Sequence, residues 1–303
     1  METNDIIQKL WQYGHFHNTD VKEAELPSLR LTDREVKIAL QSYQDFFAVE
    51  LDRFTAERHG RISVADGDFG PATQDLLLME RCGYPDYSIE AANGSGSWPS
   101  GCHPKWPSNH CFTIQVDKRG MPSYLKDTFE PAFALVQQAY ANMGIVFLRE
   151  DNNPKANTVI TWQRGSGWIG LAIVPRNPKC GERIWAKFDN RYQPSQLLDQ
   201  WSRLIAHELG HNMGMSHSRG GVMNPSITSG VFTKTAWRGD PSEPLLRRMF
   251  GGVPVNLTGS DPIPPISPQP PERPDGFWFN GNFVLMQGDR SLGEFILIPK
   301  TEV

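Results

Sequence analysis

The sequence predicts an α+β fold: a small helical bundle, then five short strands interleaved with long helices, then a small β tail. Three observations carry that prediction. Apolar residues recur at helical spacing up to about residue 87; five short runs rich in β-branched and aromatic residues begin at Cys111 and interleave with long helical stretches; and a proline-rich spacer isolates the last apolar runs. With 303 residues, 39% of them hydrophobic, the chain has material for about two domains.

In the first part, residues 1–87, Ile6, Ile7, Leu10 and Trp11 mark one helix. After Leu31, Thr32 reads as an N-cap with Glu35 as its reciprocal partner. Val36, Leu40, Tyr43, Phe47, Leu51 and Phe54 then recur at spacings of three and four, an apolar stripe on one helix face. A third helix, opened by Gly70 and Pro71 and closed by Gly83, adds Leu76, Leu77 and Met79. Residues 88–104 contain AANGSGSWPSG, the composition of a flexible, cleavable linker.

Residues 105–253 read as the second domain. CFTIQVD, IVFLRE, NTVITWQ, GLAIVP and RIWAKFD are its five strands. A helix ending at about Met143, with Pro131 in its first turn or kinking it, separates the first two. A long helix from about Ser195 to Met213 follows the fifth, and a shorter one lies near Leu245–Phe250. The prolines between Pro262 and Pro274 make residues 254–275 a stiff spacer. In residues 276–303, Asn280 and Gly281 sit between two apolar runs as a hairpin turn would, and EFILIPK offers a third strand.

Composition excludes several partners. The net charge of −4 supplies no basic field for nucleic acid. No apolar run approaches the roughly 18 residues of a membrane span, and the first residues lack a basic stretch followed by an apolar one, so no signal peptide is expected from them. A monomer is expected.

The chemistry concentrates in HELGHNMGMSH, His207 to His217. Two histidines four apart are separated by about 400° of helical rotation, so His207 and His211 leave nearly the same face and can grip one ion. Gly214 can end the helix and turn the chain back, which allows His217 to supply a third nitrogen. Three neutral imidazoles leave one position of a tetrahedral Zn²⁺ open, the ligand count of a catalytic site. Paired surface histidines on an amphipathic helix are the alternative, and the glycine and third histidine weigh against it.

This string resembles the zinc signature HExxHxxGxxH of the metzincin metallopeptidases. Met223, in GGVMNPS, resembles the methionine turn of that clan, and Ser218 and Pro225 look like its matrix metalloproteinase (matrixin) branch. Upstream, RCGYPD resembles the matrixin cysteine switch, with Glu80 where proline is usual. The resemblance implies that Cys82 occupies the fourth zinc position in a latent zymogen and that Arg81 and Asp86 pair to support the loop. The stretch ADGDFGPATQDLLLMERCGYPD resembles the end of a peptidoglycan-binding-like module, which admits an inhibitory prodomain, a wall anchor, or both.

What the resemblance implies is a zinc endopeptidase with a metzincin-type catalytic domain, a five-stranded mixed, twisted sheet with long helices, an active-site helix and a methionine turn. One catalytic zinc on His207, His211 and His217 would activate water and polarise the scissile carbonyl, with Glu208 as general base. Gly170, Leu171 and Ala172 would form the edge strand that holds a protein or peptide substrate, and Pro225 and Ile227 the wall of the S1′ pocket, with Ile227 where the family has Tyr. No histidine lies between Cys111 and Ala206, so a second, structural zinc is not expected; calcium is allowed near Asp189. Cys102 and Cys111 can pair if the protein is exported, leaving Cys180 unpaired, and the family's setting is extracellular. A wall-binding protein with a degenerate metal site, or a hydrolase of wall peptides, are the competing functions.

Overall fold

The computed structural model describes residues 1–59, 65–87, 111–174, 183–227, 230–250, 283–287 and 290–295. The expected linkers, Cys102 and Cys180 lie outside the described residues, as does the side chain of Cys111.

The N-terminal unit is a bundle of α1 (Thr3–Gln12), α2 (Arg34–Phe46), α3 (Ala48–His59) and α4 (Pro71–Leu78). Ile6, Ile7, Leu10, Val36, Leu40, Tyr43, Phe47, Leu51, Leu76 and Leu77 meet in one buried core. Two expectations shift. The N-cap of α2 is Asp33, not Thr32, and its carboxylate accepts from the Arg30 amide at 2.8 Å and caps no helical N–H. The stripe from Val36 to Phe54 is shared by two helices, because Phe47 leaves the helical region at φ −104° and ψ 31°. Helix α4 opens at Pro71 as expected but stops at Leu78, well before Gly83, so residues 79–83 run extended toward the second domain. The 66–73 loop is held from inside: the Gly67 amide donates to Gln44 Oε1 at 2.8 Å, and Gln44 Nε2 donates to Thr73 Oγ1 at 3.0 Å.

The second domain is a mostly parallel five-stranded sheet with helices packed on it. Its strands are β1 (Cys111–Val116), β2 (Val146–Arg149), β3 (Thr158–Gln163), β4 (Gly170–Ala172) and β5 (Ile184–Asp189), in the order β2-β1-β3-β5-β4. Only β4 runs antiparallel, and it forms one edge. Helix α5 (Lys126–Ala141), with Pro131 in its second turn, packs on α6 (Leu197–Asn212), and the Tyr140 hydroxyl donates to the Ala206 carbonyl at 2.6 Å across that contact. Asn212 Nδ2 donates to the Ile173 and Trp185 carbonyls at 2.9 and 3.1 Å, fastening the end of α6 to the β4–β5 margin. The sheet, α5 and α6 share one core that includes Phe129, Phe133, Phe188 and Trp201.

A short α7 (Glu243–Phe250) follows, then an antiparallel pair of β6 (Phe283–Gln287) and β7 (Arg290–Phe295). This pair joins the second expected run of the tail to the third; the expected turn at Asn280 and Gly281 lies outside the described residues. Among the described residues no helix is long and apolar enough to cross a membrane.

Candidate metal centre

Helix α6 carries His207 and His211 on its buried face and ends in a Schellman motif. The Gly214 amide donates to the His211 carbonyl at 2.8 Å and the Met215 amide to the Gly210 carbonyl at 3.0 Å, with Gly214 at φ 92°. That left-handed step turns the chain back so that His217 faces the helix it has just left. The three Nε2 atoms then lie 3.1, 3.1 and 3.2 Å apart. Cys82 Sγ stands 3.5 Å from His211 Nε2. Among the described residues, this is the group of histidine, cysteine and acidic side chains able to hold an ion.

These donors fit zinc. Tetrahedral bonds of about 2.05 Å to nitrogen and about 2.3 Å to sulfur separate nitrogens by about 3.3 Å and nitrogen from sulfur by about 3.6 Å. Each imidazole also has its other nitrogen engaged: His207 Nδ1 with the Val222 carbonyl at 2.8 Å, His211 Nδ1 with the Met215 carbonyl at 2.7 Å, and His217 Nδ1 with Asp86 Oδ1 at 2.9 Å. An acceptor on Nδ1 places the proton there and leaves the Nε2 lone pair for a metal. Burial pushes all three histidines toward the neutral form that a metal needs. Burial and the Glu208 carboxylate push the Cys82 thiol up, so a cation is what would make its thiolate stable here.

Glu208, one residue after His207, is fully buried, with the Cys82 thiol beside its carboxyl. Burial pushes its carboxyl up to about 8, against a smaller downward pull from the Cys82 thiol. It lies against the edge strand so closely that a Cβ on Gly170 would collide with Glu208 Oε1 and sit 2.7 Å from Leu204 Cδ1. A residue with any side chain at Gly170 would displace the carboxylate.

Residues 81–83 pass between β4 and residues 225–226 and make isolated bridges to both. The Cys82 amide donates to the Pro225 carbonyl at 2.8 Å, the Gly83 amide to the Gly170 carbonyl at 2.9 Å, and the Ile169 amide to the Arg81 carbonyl at 3.0 Å. The segment thus bridges the free edge of β4 and the 225–226 strip. The Tyr84 amide donates to Cys82 Sγ at 3.3 Å, and its ring lies 4.7 Å from that of His211.

Beside Cys82, Arg81 and Asp86 are paired and fully buried. The guanidinium lies 3.6 Å from the centre of the Tyr13 ring. Burial opposes ionisation of Asp86, but Arg81, His15 and His217 outweigh it and hold the carboxyl well below its ordinary range. Asp86 Oδ2 accepts from His15 Nε2 at 2.9 Å, and His15 Nδ1 meets Ser42 Oγ at 3.1 Å. A second tie joins the two domains, where Asn224 Nδ2 donates to Glu50 Oε1 of α3 at 2.7 Å. Sequence reasoning missed His15, Glu50 and Tyr84, of which only Tyr84, inside RCGYPD, carried any motif signal.

Burial holds His15 below its ordinary pKa despite Asp86, so the folded chain leaves it neutral where the unfolded chain protonates it. Below about pH 6.5 the unfolded state binds the extra proton, and stability falls with pH by up to about 1.4 kcal/mol per unit for one such group. The melting temperature is expected to drop between pH 7.5 and 5.5, and less steeply in His15→Gln. Equal slopes in the two proteins would remove His15 from the account.

The remaining expected residues are placed as follows. Met223 is buried beneath α6, where a Cβ on Gly210 would strike its sulfur. Leu171 and Ala172 lie in β4 with Gly170, and Leu171 Cδ1 would sit 3.2 Å from a Cβ on Gly83. Pro225 supplies the carbonyl that Cys82 binds, whereas Ile227 packs into the core of the domain. Asp189, near which calcium is allowed, is engaged by the Arg191 guanidinium at 2.9 Å, so a cation there would compete with that charge.

No protein-family profile matches the sequence. Two structures of myroilysin overlap parts of the chain, one at 19% identity over 49% of this chain and 58% of that one with a TM-score of 0.29, the other at 20% over 38% and 52% with a TM-score of 0.27. The interstitial collagenase of Aquarana catesbeiana is 26% identical over 169 residues, 53% of this chain and 38% of the relative. Those of Equus caballus and Sus scrofa are 24% and 22% identical over 213 residues, 66% of this chain and 41% of each relative. The chain therefore spans less than half the length of the curated relatives it matches. Over about two-thirds of its own length it is distantly similar to interstitial collagenases.

Proposed function

We propose that the chain is a zinc-dependent, matrixin-like endopeptidase held latent by its own N-terminal unit. Residues 1–87 are the prodomain, 88–104 the segment whose cutting releases it, and 105–253 the catalytic domain. The observation that carries this reading is the convergence of three Nε2 atoms, 3.1 to 3.2 Å apart, with the Cys82 sulfur on their open side. The distant similarity to interstitial collagenases supports it.

His207, His211 and His217 would hold the zinc, and Cys82 the position that a water must take for turnover. Bound there, zinc supplies a Lewis acid that makes water nucleophilic near neutral pH and polarises an amide carbonyl. Glu208 takes the proton of the attacking water and returns it to the departing amine. The groups that now hold residues 81–83, the Gly170 and Pro225 carbonyls and the Ile169 amide, are those available to a substrate backbone once the segment leaves. Such binding is blind to substrate sequence.

Metal analysis combined with casein hydrolysis before and after limited proteolysis tests the reading. About one zinc per chain and an increase in activity of about tenfold or more after cutting are expected, on the scale of one ligand position being freed. A purified chain that binds no stoichiometric zinc would overturn it.

A further inference from the structure

The three histidines are not supported alike. His207 and His211 are oriented by the Val222 and Met215 carbonyls, both within the catalytic domain. The acceptor for His217 is Asp86, on the far side of the proposed cutting segment. This carboxylate is itself fixed from the N-terminal bundle, by Arg81 on Oδ1 and by His15 on Oδ2, with Ser42 behind His15.

We infer that Asp86 is a positioning residue for the metal: the prosegment lends His217 the carboxylate that orients it, and departure of the prosegment withdraws that support together with the Cys82 sulfur. The inference rests on the zinc reading above. A carboxylate on the outer nitrogen fixes the ring and raises its basicity as a ligand, and loss of such a partner typically weakens metal binding about 10- to 100-fold. The latent chain therefore holds zinc more tightly than the released catalytic domain for two separable reasons, and only one of them is the thiolate. Release leaves a zinc with a looser third ligand and less electron donation, which makes it the stronger Lewis acid.

The test removes the sulfur first. In the Cys82→Ala chain, zinc affinity is measured by competition with a chromophoric chelator, alone and with Asp86→Asn, Arg81→Met, or Arg81→Met plus Asp86→Leu. The last variant removes both charges, so that no unpaired ion is left buried if Asp86→Asn fails to fold. Both Asp86 variants are expected to bind zinc about tenfold more weakly or worse. Arg81→Met, which disturbs the same pocket but keeps the carboxylate on His217, should stay within about threefold, below the range for a lost metal-ligand partner. In the cobalt-substituted protein, the exchangeable proton resonance of one ligand histidine should shift in the Asp86 variants while the other two stay. Equal zinc affinity with and without Asp86, or an equal loss in Arg81→Met, overturns the inference and leaves the protease reading standing. Absence of zinc from every variant, Cys82→Ala included, defeats the protease reading itself.

Discussion

Glu208→Ala is expected to retain one zinc per chain and to lose proteolytic turnover by about 10²- to 10⁴-fold, the contribution of a positioned general base. Three features of the side chain lead there. It is fully buried beside the histidines, its carboxyl lies against Gly170 of the edge strand, and burial pushes that carboxyl above its ordinary range. A carboxyl taken wholly out of water is a burden on the fold, so the alanine variant should melt no lower than the wild type. The measurements are zinc content, melting temperature and casein hydrolysis after cutting. Wild-type digestion by the variant would show that another group moves the proton.

The second large effect is expected from Cys82→Ser, which should hydrolyse casein without being cut, at about tenfold or more above the intact wild type, on the scale of one strong ligand lost. A serine hydroxyl is a far weaker zinc ligand than a thiolate. Release should still be incomplete. The backbone bonds of residues 81–83 to Pro225, Gly170 and Ile169, and the Arg81–Asp86 pair behind them, do not depend on the sulfur. Cutting is therefore expected to raise the variant further, to the level of the cut wild type. Equal latency of the two intact proteins would place the block elsewhere than at the sulfur.

The sheet and the helix that carries His207 and His211 are legible because each is written in a local repeat. Five β-branched runs predicted β1 to β5 within a few residues, and the spacing of His207, His211, Gly214 and His217 predicted a helix, a left-handed stop and a return. The break at Phe47 was hidden because the apolar stripe continues across it, and periodicity reports which face is buried but not whether the backbone is continuous. In the tail, the third strand runs over Arg290–Phe295, ahead of the EFILIPK run that composition picks out, because pairing with Phe283–Gln287 and not local apolar content sets its register. The contacts of Asp86 with His15 and His217, and of Glu50 with Asn224, join residues far apart in the chain. Such single long-range pairs leave no pattern in a sequence.

The segment of residues 81–83 is covalently continuous with the domain it binds, and that continuity sets how strongly it competes. A tethered occupant returns at an effective concentration of about millimolar, whatever the dilution of the protein. Severing the tether lets the same residues drift away as a separate molecule, and their grip then weakens as the solution is diluted. Permanent self-occlusion becomes ordinary reversible competition, so a freshly cut sample kept concentrated would remain partly masked, and simple dilution would finish what the protease began.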